Sequence, residues 1–107
     1  MRIELLYFDG CPSYAEFLPR LRELLASEGI DDEIELRLVD SAEEAERQRF
    51  LGSPTVRIDG EDVDSSASGR DEFGLECRLY LTEDGLARTP PEDWIRRALN
   101  RADRAER

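Results

Sequence analysis

The chain of 107 residues contains no histidine and no lysine, and only two of its residues are cysteines. The absence of histidine excludes Cys-His and Ser-His catalysis and the zinc sites that use imidazole ligands. Two cysteines are too few for a four-thiolate zinc site within one chain. No apolar run approaches the ~20 residues that cross a bilayer, and the N-terminus shows no signal-peptide pattern. We therefore expect a cytoplasmic protein without a cofactor, a resident metal or a membrane partner.

Basic charge is also scarce. The 26 acidic residues outnumber the 15 basic residues, all of which are arginine, and the net charge is −11. Such a surface repels phosphate groups over most of its area. We therefore expect neither nucleic acid nor an anionic lipid surface among its partners.

The chain length predicts a single domain over residues 1–107. An apolar run predicts a buried strand at 3–8, and apolar residues at three- and four-residue spacing predict a helix from Pro12 to Ser27, bent but not broken by Pro19. Alternation, a capping box and turn signals predict the remaining elements. These are strand 34–38, a short helix from Ser41 to about Gly52, strand 55–58, a hairpin into 61–63, loop 64–74, strand 77–81 and a helix after Pro90.

Cys11 stands where the first strand turns into the first helix, directly before Pro12. At a helix N-terminus, unpaired N–H groups and the helix dipole favour a thiolate over a thiol. The position predicts an accessible nucleophile with a lowered pKa, or a ligand for a soft metal. The alternative is a small buried apolar residue, as free cysteines often are.

Three features together resemble the thioredoxin-like superfamily. Cys11-Pro12 resembles the start of the glutaredoxin motif, Pro19 matches a proline in the active-site helix, and Ser53-Pro54-Thr55 resembles the cis-proline segment that faces the active cysteine. The resemblance implies an α/β fold with a mixed central sheet, helices on both faces and an insertion at 64–88 before the last helix. It also implies a cis Ser53–Pro54 bond. Pro12, Ser53, Pro54 and Thr55 would then bind the substrate.

The sequence departs from that family at one important place. Three residues after Cys11, where the family has its second cysteine, stands Tyr14. The other cysteine is Cys77, which follows the predicted loop. It is a candidate resolving thiol or second soft-metal ligand, and the alternative is a strand residue that faces the core. Arg78 is expected as a surface charge on an edge strand.

The resemblance implies a thiol-based redox protein, a thiol-disulfide oxidoreductase in which Cys11 is the nucleophile and Cys77 the resolving thiol. Its partners would be a protein disulfide or a low-molecular-weight thiol. One alternative is a non-catalytic binding module that retains the fold's peptide groove. The others are a thiol protein that handles a soft metal such as mercury, and a subunit that acts with a larger partner protein.

Overall fold

A computed structural model describes residues 1–105. The elements are β1 (Ile3–Tyr7), α1 (Pro12–Ser27), β2 (Ile34–Leu38), α2 (Ala42–Arg47), β3 (Thr55–Ile58), β4 (Glu61–Asp62), β5 (Tyr80–Thr82), β6 (Gly85–Ala87) and α3 (Glu92–Ala105). Over these residues strands and helices alternate up to β3, and β4, one turn of 3-10 helix at Ala67–Gly69, β5, β6 and the last helix follow.

Four strands form a mixed sheet in the order β2-β1-β3-β4, and β5 and β6 form a separate hairpin. β1 runs parallel to β2 and antiparallel to β3. In the antiparallel register Leu6 lies opposite Thr55, so the first residue of β3 stands beside the last residues of β1. This register brings the chain just before β3 close to the turn that leads from β1 into α1.

Helices cover both faces of this sheet, as the sequence predicted. Ile3 and Leu5 of β1 point into the larger apolar core, which they share with α1 and α3. Leu6 points to the opposite face and packs with Ala45 of α2 and with Phe50. The alternation of side chains along β1 explains why this strand is apolar almost throughout, since both of its faces are buried.

α1 runs without interruption through Pro19, as predicted from the apolar stripe that continues beyond it. α2 ends earlier than the predicted limit near Gly52, because the chain turns out of the helix at Arg49, where φ is +53°. The Phe50 N–H donates to the Ala45 carbonyl, and the Arg49 N–H donates to the Glu46 carbonyl. This is a Schellman motif in which arginine takes the place of the usual glycine.

The segment after β4 differs from the sequence prediction in one respect. The single strand expected at 77–81 is divided: Tyr80–Thr82 form β5, whereas Cys77 pairs with Ser53 through an isolated parallel bridge. β5 pairs with β6 and not with a strand of the main sheet. Over residues 1–105, no helix has the length and apolar character that crossing a bilayer requires.

Candidate functional site

Cys11 is the N-cap residue of α1, and its own side chain makes no capping hydrogen bond. Its backbone N–H donates to the Phe8 carbonyl at 3.3 Å, which closes the turn between β1 and the helix. The side chain is only 2% exposed. The predicted position at the helix start is therefore found, but the expected accessibility of the thiol is wrong.

The Ser53–Pro54 peptide bond is cis, as the sequence analysis expected, and it lies beside Cys11. The Cys11 thiol donates a hydrogen bond to the Ser53 carbonyl, with 3.7 Å between sulfur and oxygen. This contact follows from the sheet, because the antiparallel register of β1 and β3 sets the residues before β3 next to the end of β1.

The segment 76–78 lies along Ser53 and occupies both of its backbone hydrogen-bonding groups. The Ser53 N–H donates to the Glu76 carbonyl at 2.8 Å, and the Arg78 N–H donates to the Ser53 carbonyl at 2.9 Å. Cys77, between these two residues, is exposed, and it lies near enough to Cys11 for each sulfur to shift the pKa of the other. The two cysteines, which are 66 positions apart in the sequence, thus meet at the start of α1.

The environment of Cys11 favours its thiolate. Burial alone would raise the pKa of the thiol, but hydrogen bonds outweigh burial and the pKa is lowered. The donors are the Ser53 hydroxyl, the N–H groups of Tyr14 and Ser13 in the first turn of α1, and the Cys77 thiol. Among residues 1–105 the buried Ser53 hydroxyl finds no hydrogen-bond partner. Deprotonation of Cys11 gives this hydroxyl an acceptor.

The pKa of Cys77 is shifted in the opposite direction. Its pKa is raised by partial burial and by its proximity to the Cys11 sulfur, both as a charge and as a hydrogen-bond acceptor, while Arg88 lowers it to a smaller extent. When the reduced pair loses one proton, Cys11 is therefore the thiol that ionises and Cys77 the one that stays protonated. In that state Cys77 donates its proton toward Cys11.

Arg78 holds the segment in place from inside the protein. Its side chain is fully buried, so the expectation of a surface charge is wrong. The guanidinium contacts both carboxylate oxygens of Asp62, at 2.7 and 3.2 Å, and Asp64 at 3.3 Å. It also donates to the Thr55 hydroxyl at 3.0 Å and stacks on the Tyr80 ring. Burial of an arginine requires such partners, since an unpaired buried charge is strongly unfavourable.

Two further contacts complete the anchoring of this segment. The Tyr80 hydroxyl donates to the Pro54 carbonyl, and burial raises the pKa of this phenol, so that it remains a donor. Gly52 has φ of +125°, and a Cβ atom there would lie 2.9 Å from the Arg78 Cβ and from the Glu76 carbonyl oxygen. Only glycine satisfies both the dihedral angle and the close approach.

Tyr14 occupies the position where the family that the sequence resembles has its second cysteine. Its ring stacks on Tyr7 of β1, with 4.1 Å between the ring centroids and 22° between the planes. The Tyr14 side chain thus packs against Tyr7. The second cysteine at the site is Cys77.

The structure brings together most of the residues selected from the sequence. Pro12 is exposed in the first turn of α1, whereas Ser53, Pro54 and Thr55 are buried. Because Ser53 already pairs with residues 76–78, its backbone is not open to an extended peptide. A role of these residues in substrate binding stays a prediction.

Sequence reasoning missed the anchoring residues Asp62, Asp64 and Tyr80, and it misplaced Arg78. A signal was present in the alternation of Cys77, Leu79 and Leu81 with Arg78 and Tyr80, which puts the arginine and the tyrosine on one face. The alternation alone does not tell which face is buried, and the apolar residues of the other face favour the opposite assignment.

A metal ion would find few ligands in this part of the molecule. Within residues 1–105 no group of three or more histidine, cysteine, aspartate or glutamate side chains is arranged to hold an ion. The paired sulfurs of Cys11 and Cys77 offer two soft ligands only. Comparison of the chain with protein-family models, with curated proteins and with solved structures gives no match.

Proposed function

We propose that this chain carries out thiol-disulfide exchange at the Cys11–Cys77 pair of a thioredoxin-like fold. The observation that supports the proposal most is the meeting of a buried cysteine at a helix N-terminus with an exposed cysteine on a separate segment. The strand order β2-β1-β3-β4 and the cis Ser53–Pro54 bond next to Cys11 support the thioredoxin-like assignment. Residues 64–88 would then be the insertion before the last helix.

The two cysteines divide the chemistry according to their environments. These environments reverse the roles expected from the sequence, since Cys11 is buried and Cys77 is exposed. The Cys77 thiolate attacks one sulfur of an external disulfide, releases the other sulfur as a thiolate and forms the mixed disulfide. The Cys11 thiolate is the nucleophile that attacks the Cys77 sulfur, releases the external group as a thiolate and closes the Cys11–Cys77 disulfide. When an external thiolate attacks Cys77 in the disulfide form, Cys11 leaves as the thiolate and the same bonds exchange in reverse.

This arrangement favours the protein as an oxidant of thiols. A leaving thiol with a lower pKa departs faster, and stabilisation of the reduced form raises the reduction potential of the pair. The lowered pKa of Cys11 contributes to both effects. A low-molecular-weight disulfide would regenerate the oxidised form, since it accepts the two electrons and is released as two thiols.

Equilibration with reduced and oxidised glutathione, a couple weak enough as a reductant to leave an oxidising pair partly oxidised, tests the proposal. After acid quenching and alkylation, the wild-type protein should titrate as a two-electron couple whose midpoint is more oxidising than that of the reagent. Cys77→Ser should lose the intramolecular couple and retain only mixed disulfides. A wild type in which both thiols remain alkylatable at every ratio would contradict the proposal.

A second candidate is the capture of a soft metal ion by the two thiols. The adjacent sulfurs of Cys11 and Cys77 support it, because thiolates select soft ions such as copper(I) or mercury(II). The ion would be cargo or substrate with two protein ligands. Titration with mercury(II) should then saturate at one ion per chain, and Cys11→Ser should abolish tight binding.

The non-catalytic binding module receives less support. A peptide groove next to a cis-proline would need free backbone groups on Ser53, and residues 76–78 occupy them. Peptide binding at that groove would require the segment to leave.

A further inference from the structure

Cys77 is one of a row of exposed side chains. In the extended segment 77–81, Arg78 and Tyr80 point inward, whereas Cys77, Leu79 and Leu81 are exposed. Leu79 is 51% exposed and Leu81 is 75% exposed. Leu86, 68% exposed, lies directly opposite Leu81 in the β5–β6 hairpin. We call Leu79, Leu81 and Leu86 the leucine face.

Exposed leucines that cluster on one face form the kind of apolar patch that marks an interaction site. The inner positions of the same segment hold an arginine and a tyrosine instead of leucines. The large apolar side chains thus stand on the side that carries the exposed sulfur. A molecule joined to Cys77 through sulfur would lie along the leucine face.

The distance from Cys77 to the far end of the leucine face indicates what kind of molecule could cover it. Leu81 is four residues from Cys77, which corresponds to about 13 Å in an extended chain. A small thiol bound to Cys77 would not reach Leu81, whereas a polypeptide with apolar side chains near its cysteine would. The approach from the Cys11 side is closed, since the Cys11 side chain is buried and Ser53 is already paired.

Acidic residues lie at both ends of the row, and they indicate which charges a partner would carry. The exposed Glu76 precedes Cys77, and the exposed Asp84 lies in the turn between Leu81 and Leu86. With a net charge of −11, the protein favours partners that carry basic residues near their apolar stretch.

We propose that the leucine face docks the apolar stretch of a polypeptide that carries two cysteine thiols, and that the first of these thiols attacks Cys77. The inference rests on the proposed thiol-disulfide exchange. The polypeptide thiolate forms a bond to the Cys77 sulfur, the Cys11–Cys77 bond breaks, and Cys11 leaves as a thiolate. The second thiolate of the polypeptide then attacks the first sulfur and releases Cys77, which takes up a proton. The polypeptide loses two electrons and the pair gains them.

The test measures how fast peptides reduce the Cys11–Cys77 disulfide. The protein is oxidised, freed of oxidant and mixed with one of three thiols: a peptide with leucines and arginines around two cysteines, the same peptide with serines in place of the leucines, or 2-mercaptoethanol. The wild type should react about tenfold faster with the leucine peptide than with the serine peptide. Mass spectrometry should find the transient adduct on Cys77.

Leu81→Ser combined with Leu86→Ser should remove this preference and leave the rate with 2-mercaptoethanol unchanged. The matched control is Leu36→Ser with Leu38→Ser, which alters two half-exposed leucines on β2 and should leave both peptide rates unchanged. Equal rates for the two peptides with the wild type, or an adduct on Cys11, would overturn the proposal. So would an equal loss of rate with 2-mercaptoethanol in the leucine-face variant.

A second copy of this chain is the other molecule that could cover the leucine face. The state of association distinguishes it from a polypeptide substrate. If the wild type is a dimer in size-exclusion chromatography and the leucine-face variant is a monomer, the leucines serve self-association and the docking proposal is overturned. Failure to obtain any intramolecular disulfide, with no reaction toward 2-mercaptoethanol, would instead contradict the proposed function itself.

Discussion

Ser53 and Cys77 are paired through a parallel β-bridge, although 24 positions separate them in the sequence. The Ser53 N–H and carbonyl bond to the residues on either side of Cys77, so the backbone holds the exposed thiol beside Cys11. The cis peptide bond and the second cysteine thus belong to one local structure. Changes that disturb this pairing should affect the chemistry of the pair even where they leave the cysteines in place.

Gly52→Ala should disturb the pairing most directly. The new Cβ atom would lie 2.9 Å from the Arg78 Cβ and from the Glu76 carbonyl oxygen, at a backbone φ of +125°. Backbone strain of this kind costs about 1–3 kcal/mol. We expect a loss of unfolding free energy of that order in urea denaturation and a lower yield of intramolecular disulfide. Gly69→Ala, which meets no atom within 4 Å, is the control and should behave as the wild type.

Arg78→Met should destabilise the protein by about 3–5 kcal/mol, because it removes the buried guanidinium that pairs with Asp62 and Asp64 and leaves Asp64 only the longer contact with Arg70 at 3.8 Å. Chemical denaturation measures the loss. Arg97→Met, which breaks the exposed ion pair with Asp93, should cost no more than about 1 kcal/mol. A similar small effect at both sites would show that the Arg78 contacts do not hold the segment.

The pH dependence of iodoacetamide alkylation should show a lowered pKa for Cys11 and a raised pKa for Cys77, when each adduct is quantified by mass spectrometry. Ser53→Ala should raise the pKa of Cys11, since it removes a hydroxyl that donates to the thiolate. Ser65→Ala, an exposed serine elsewhere, should leave it unchanged. An unaltered Cys11 pKa in Ser53→Ala would contradict the account of the thiolate.

The same shift should appear in stability. A thiol whose pKa is lower in the folded state contributes stability that is fully present above its unfolded pKa of about 8.5 and is lost as the pH falls through the folded pKa. The reduced wild type should therefore gain unfolding free energy relative to Cys11→Ser as the pH rises toward about 8.5. A difference that is constant with pH, or that shrinks, would oppose the predicted direction.

Much of the fold could be predicted because its signals are local. The apolar run before Asp9, the capping box at Ser41 and the Asp59-Gly60 turn each determine an element or a turn through neighbouring residues, and all three are found. The cis bond before Pro54 was expected from a resemblance and is also present. Such features need no knowledge of distant contacts.

The site itself depended on contacts that local patterns do not contain. Whether Cys77 meets Cys11 is decided by the pairing with Ser53 and by the burial of Arg78. Arg78 was expected at the surface because arginine is seldom buried, and its partner Asp62 lay in the predicted hairpin into 61–63. Such long-range ion pairs become visible only when the strands are placed.

The most direct test of the account is the identity of the disulfide that forms on mild oxidation. Trypsin should release Ile3–Arg20, which contains Cys11, joined to Asp71–Arg78, which contains Cys77, and the intact monomer should be lighter by two hydrogens. Monomeric protein with this cross-linked peptide as the main product is the predicted result. Cross-linked dimers, or two cysteines that alkylate freely after oxidation, would contradict the central claim that Cys11 and Cys77 form one redox pair.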